Sequence, residues 1–130
     1  MNCLAPTETA RSDQHEKGAG TVMMAGIAFA ILLLLAMLVI LVQATVGASR
    51  ASTAADLAAL AAADVARGLT PGEPCAVAGE VASRHGVELK SCQQVGAQGH
   101  IVDVTTSVHI SSLLGSANGR ARAGPPPDLP

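Results

Sequence analysis

Tryptophan and tyrosine are absent from this chain, and Phe29 is its only aromatic residue. Large rings normally supply much of the area buried in a core. Whatever packs here must pack with Ala, Val and a few Leu. Such side chains bury little area each, so a small domain of them is expected to be marginal unaided. Charge is scarce as well, at 14% of residues with a net of −2. With no basic stripe and no interleaved aromatics, the sequence argues against nucleic-acid binding. Ligand spacing for a metal is missing too: His15, His85, His100 and His109 have no second His or Cys at such spacing. Asp103 and His109 read as ordinary surface groups of a strand. Ser111 and Ser112 have no nucleophile-elbow context, and Gly18-Ala19-Gly20 follows no strand, unlike a phosphate-binding loop. The expectation is a non-enzymatic chain with no cofactor, no metal site and no small-molecule substrate. Its 130 residues suit one small unit.

What the chain does have is apolar length. Gly18 to Ser49 is a charge-free run of 32 residues, with an apolar core of 22 from Thr21 to Val42. As a helix rising about 1.5 Å per residue, that core spans roughly 33 Å, enough for a hydrocarbon layer of about 30 Å. A single span satisfies its backbone polar groups in lipid only as a helix. The remaining chain is too small to cover a helix that is apolar on all sides, which argues against a buried core helix. A cleavable signal peptide is the sharper rival. Val42-Gln43-Ala44 and Val46-Gly47-Ala48 both fit small-residue cleavage sites, although the run exceeds the usual 7–15 residues. Arg11 and Lys17 precede the span and Arg50 follows it. The positive-inside rule then favours a cytoplasmic N-terminus and an extracytoplasmic C-terminal part, by a narrow margin.

Helical character continues past the membrane. Ala51 to Arg67 holds nine Ala among 17 residues, the best helix former, and Gly68 and Pro71 supply the stop. The pattern reads as one helix of about 45 residues from Thr21 to Arg67, on the order of 70 Å long. Gly47 allows a bend within it. Ala44, Ala48, Ala51, Ala55, Ala58, Ala62 and Val65 recur at heptad spacing, while Thr53, Asp56, Leu57, Leu60, Asp64 and Arg67 gather opposite. A seam of small residues lets another helix approach closely, so the expectation is packing against a neighbouring helix in an assembly.

The C-terminal part reads as a small α+β head. Glu73 to His85 is helical, Val87 to Val95 a strand, and Gly96–Gly99 a turn. Ile101 to Ile110 alternates, with Val102, Val104, Thr106, Val108 and Ile110 on one face and Asp103, Thr105, Ser107 and His109 on the other. Gly119 to Gly124 adds a short strand, and the Pro-rich end cannot join a ladder. The fold class is therefore α+β. A long N-terminal transmembrane helix continues beyond the membrane, followed by a short helix and a small antiparallel hairpin or three-stranded sheet. The expected divisions are 1–20 leader, 21–42 span, 43–67 helix extension, 68–124 head and 125–130 tail. Cys3 lies before the span; Cys75 and Cys92 lie after it. Outside the cytoplasm the latter two can pair, closing a loop worth roughly 3 kcal/mol on the chain-entropy estimate. The alternative is two buried thiols.

The EKGAGTV stretch before the apolar run, ASTAADLAALAAADVA after it, the two downstream cysteines and GRARAGP near the end resemble one known group. It is the small TadE-like proteins of actinobacterial tad pilus and secretion loci, and the similarity covers about Asp13 to Gly124. That resemblance implies a pilin-like α+β fold and a pseudopilin or accessory subunit of a Tad/Flp-type pilus or secretion system, sited in the cell membrane. Its partners would be other Tad-type pilins or inner-membrane platform proteins working with a secretion ATPase. It also implies a processing site. Prepilin-type peptidases cut after a Gly that follows a basic residue, which places the cut between Gly18 and Ala19. Met23 departs from the pattern, which has Glu at the fifth residue of the mature chain. A Glu there can pair with a neighbouring subunit's N-terminal amine in an apolar bundle, and Met23 cannot. Two other readings compete. One is an exported extracellular protein, an effector for instance, whose apolar segment is only its signal; the other is a plain membrane-anchored binding domain.

Overall fold

The structure is a computed structural model that describes residues 13–126. The first twelve residues, with Cys3 and most of the expected leader, lie outside the described residues, as does the end of the Pro-rich tail. The element order is α1 (Asp13–Ala66), α2 (Pro74–Arg84), β1 (Glu88–Val95), β2 (Ile101–Ser111) and β3 (Gly115–Ala123). This is the expected α+β layout: a long apolar helix, a short helix and a three-stranded antiparallel sheet in the order β1-β2-β3. Two compact units divide the chain, Met1–Ile40 and Leu41–Pro130.

In the first unit the described chain is all helix, already formed at Asp13 and thus ahead of the expected start at Thr21. Its large apolar side chains, from Val22 to Ile40, are exposed. The helix from Gly20 onward contains 18 consecutive residues with a mean hydropathy of 3.1 and is long and apolar enough to cross a membrane. Signal sequences satisfy the same measure.

The second unit is built on close approach. Ala51, Ala54, Ala55, Ala58, Ala59, Ala62 and Ala63 of α1 are all buried. Of these, Ala54, Ala58, Ala59, Ala62 and Ala63 cluster with Ala78 and Ala82 of α2, Val102 and Val104 of β2, and Ala123 of β3. The alanine seam was expected to face a neighbouring helix; instead Ala51, Ala55, Ala58, Ala62 and Val65 are covered by this chain's own head. The reason is geometric. A helix face of methyl groups can lie close to any small-residue surface, and the sheet supplies one within the same chain. At the seam's N-terminal end Ala44 is only half-buried and Ala48 is exposed. Opposite the seam, Thr53, Asp56, Leu57, Leu60, Asp64 and Arg67 are exposed, as the heptad reading requires.

Two glycines make the contact tight. A Cβ on Gly119 of β3 would lie 2.2 Å from the Ala51 carbonyl oxygen. On Gly47 it would lie 2.7 Å from Ile110 Cγ1. Gly47 therefore gives room to β2, and α1 runs through it as one helix. Beside Gly119, the Thr106 hydroxyl donates to the Ala51 carbonyl oxygen at 2.8 Å, a buried bond that leaves no polar atom orphaned there. The α1 helix stops as its sequence dictates. Gly68 takes φ 77°, and the Leu69 N–H donates back to the Asp64 carbonyl at 2.9 Å.

Short α2 begins at an extended Glu73, whose carboxylate accepts the Ala76 N–H at 2.6 Å, with Pro74 in the first turn. The third strand is longer than expected, starting at Gly115 rather than Gly119. Its segment Gly-Ser-Ala-Asn-Gly-Arg-Ala-Arg-Ala has no large apolar residue to mark alternation. Small residues are what its position against α1 demands.

Candidate functional site

The proposed processing residues lie in the first unit. Gly18 sits inside α1 rather than at its edge, is exposed, and has open space where a Cβ would be. Ala19 continues the helical backbone, and Met23 is 69% exposed on the helix surface. Thr21 donates its hydroxyl to the Gly18 carbonyl at 2.9 Å. The Gly18–Ala19 bond is thus part of a formed helix.

In the second unit the two cysteines are joined. Cys75 in the first turn of α2 is bonded to Cys92 of β1, with the Cα atoms 5.7 Å apart. An irregularity in β1 makes this reachable. The register passes from Leu89↔Thr106 directly to Ser91↔Thr105, so Lys90 is an extra residue. Strict alternation would put Leu89 and Cys92 on opposite faces. With the bulge both pack against the core. No feature of the strand's sequence marks that bulge.

The outer face of the sheet is polar. Asp103 and Arg122 are cross-strand neighbours, and both guanidinium nitrogens Nε and Nη2 donate to the two carboxylate oxygens, the second at 2.6 Å. Hydrogen bonding to Arg122, aided by its charge, holds the Asp103 carboxyl below the ordinary value of 3.8. Asp103 was expected to be a plain solvated carboxylate; instead it has a fixed partner, because the register sets Arg122 opposite it. Around this pair lies an open depression lined by Ser91, Gln93, Thr105 and Arg120. His109 on the same strand is exposed. Arginine at alternate positions, Arg120 and Arg122, was the sequence signal for this face.

A second depression lies between α1 and β2. Val42, Val46 and Ile110 give it apolar walls, with Arg50 and His109 on its lining. The adjoining β2–β3 turn carries Leu113 into solvent. The sequence reading singled out neither Leu113 nor the Gly47–Ile110 contact. Among the described residues, no three His, Cys, Asp or Glu side chains come together as metal ligands would.

Comparison with known proteins adds no relative: no protein-family model, no curated protein and no solved structure matches this chain.

Proposed function

We propose that this chain is a non-enzymatic, single-span membrane protein, a TadE-like pseudopilin or accessory subunit of a Tad/Flp-type pilus or secretion system. One observation carries the reading. A helix apolar enough to span a bilayer passes without a break into an alanine face that a small, disulfide-closed head covers. The N-terminus is cytoplasmic in this reading, and the head lies on the oxidising side, where its disulfide persists. With its seam covered, the helix is left the face bearing Leu57 and Leu60 for partners, which are other Tad-type pilins or platform proteins.

The test is co-purification of the full chain, extracted from membranes, with the secretion-platform proteins. Their absence from the complex sinks the pilus role and leaves a membrane-anchored binding domain. Intact mass of the same material reports processing: loss of Met1–Gly18 supports the prepilin-type cut, and the full-length mass rules it out.

The exported alternative draws on Ala48, the end of one small-residue site, being exposed. Cleavage after Ala48 would remove Gly47 from its contact with Ile110, whereas cleavage after Ala44 would keep it. An extracellular protein starting near Thr45 or Ser49 on N-terminal sequencing, with nothing retained by carbonate-washed membranes, favours export.

A further inference from the structure

Leu113 is 81% exposed, more than any other large apolar side chain among the described residues. Single exposed leucines are common on soluble surfaces. This one stands out by its place. Within the second unit, β2 runs along α1 toward the end of the apolar run. Thr106 bonds to Ala51, and four residues further on Ile110 packs at Gly47. Leu113 lies three residues beyond Ile110, in the middle of the 112–114 turn that follows the last strand residue, Ser111, so it reaches less than the roughly 10 Å of three extended residues. Val42, where the apolar run ends, lies five residues before Gly47, roughly 7–8 Å of helix. The β2–β3 turn therefore reaches toward the level of Val42. It is also ordered: the Leu114 N–H donates to Ser111 Oγ at 3.1 Å, and Gly115 takes φ 73°.

The surroundings are layered. Val42, Val46 and Ile110 form an apolar groove next to this turn, and Arg50 and His109 line the same groove. Val42, Val46 and Ile110 lie nearer the end of the apolar run and Arg50 further along α1, the order found at a membrane interface. There apolar groups enter the acyl boundary and cations meet headgroup phosphates.

We propose that the β2–β3 turn docks the head onto an anionic bilayer surface. Leu113 enters the acyl boundary of the leaflet from which α1 emerges, and Arg50 and His109 lie at the headgroups. The proposal rests on the membrane-anchored reading, and the experiment separates the two. Because the chain has no tryptophan, each of Phe29→Trp, Leu113→Trp and Gln98→Trp carries a single indole. Gln98 is exposed in the turn at the other end of β2. The full chain is reconstituted in phosphatidylcholine–phosphatidylglycerol vesicles with brominated acyl chains, and emission is read with and without aqueous iodide.

The expected result is blue-shifted, lipid-quenched emission for Phe29→Trp and Leu113→Trp. Gln98→Trp should be quenched only by iodide. Quenching of Leu113→Trp should weaken in phosphatidylcholine alone. If Phe29→Trp is lipid-quenched while Leu113→Trp answers only to iodide, docking is overturned and anchoring stands. If Phe29→Trp is not lipid-quenched, anchoring fails and docking falls with it. Leu113→Trp shielded from both quenchers means a protein contact at the turn and also overturns docking. Quenching of Leu113→Trp that is equal in both lipid mixtures overturns the headgroup role of Arg50 and His109.

Discussion

At the residue scale, the head depends on what is missing from side chains as much as on what is present. Gly119 is the sharpest case, since its Cβ position is already occupied by the backbone of α1. The blocking atoms belong to Ala51 and Ser52, so no side chain can rotate away. Gly119→Ala is expected to cost about 3 kcal/mol or more, at the upper end for overpacking. Urea unfolding of the full chain in detergent, followed by helical circular dichroism, measures it; an unchanged midpoint refutes the close contact. The Asp103–Arg122 pair sets a different expectation. Its folded-state carboxyl lies below the ordinary 3.8, because Arg122 favours the ionised form. The contribution is therefore fully present above the unfolded value and is lost as pH falls through the folded one. The pair is solvent-exposed, so the effect is small. Asp103→Asn should abolish it, flattening the difference in midpoint between neutral and acid pH. A variant that retains the full pH dependence assigns it to other carboxylates.

At the scale of elements, α1 and the sheet fit because both are lined with small groups. Ala55→Leu or Ala62→Leu puts three more carbons into a contact already closed by methyls. Each is expected to destabilise the head by about 1–3 kcal/mol. If the seam faced another subunit, the same variants would disturb assembly and leave the isolated chain's unfolding midpoint unchanged. The two readings are thus distinguished by melting the monomer in dilute detergent. The disulfide ties α2 to β1 across a sequence separation of 17. In a head with no aromatic residue, losing it matters. Reduction, or Cys75→Ser with Cys92→Ser, should lower stability by about 2–5 kcal/mol. Coincident unfolding of oxidised and reduced protein would contradict that.

At the scale of the whole molecule, the readable parts were those where a local pattern has one outcome. Thr21 to Val42 is apolar on every side, so no arrangement of this short chain could bury it. Ile101 to Ile110 alternates, and of its inward set Val102, Val104 and Thr106 are buried while Val108 and Ile110 are half-buried; Ser107 of the outward set is buried as well. Gly68 with Pro71 three residues on marked the end of that helix. The alanine face of α1 was legible as a packing face, but not its occupant, because methyl groups accept a helix or a sheet alike. The β1 bulge at Lys90 was invisible because it answers to the placement of Cys75 on another element. Early β3 was hidden because Gly115 to Asn118 carries no large apolar side chain. Leu113 became informative only once β2 was laid along α1. The sequence alone thus determined the apolar helix, the alternation of β2 and the thinness of the core, since each follows from neighbours along the chain. Tertiary structure alone decided that the alanine seam closes on the chain's own sheet, that Gly47 and Gly119 are contact points, and where the β2–β3 turn comes to rest. Those depend on which surfaces meet in space, and small side chains leave that choice open until the whole head has formed.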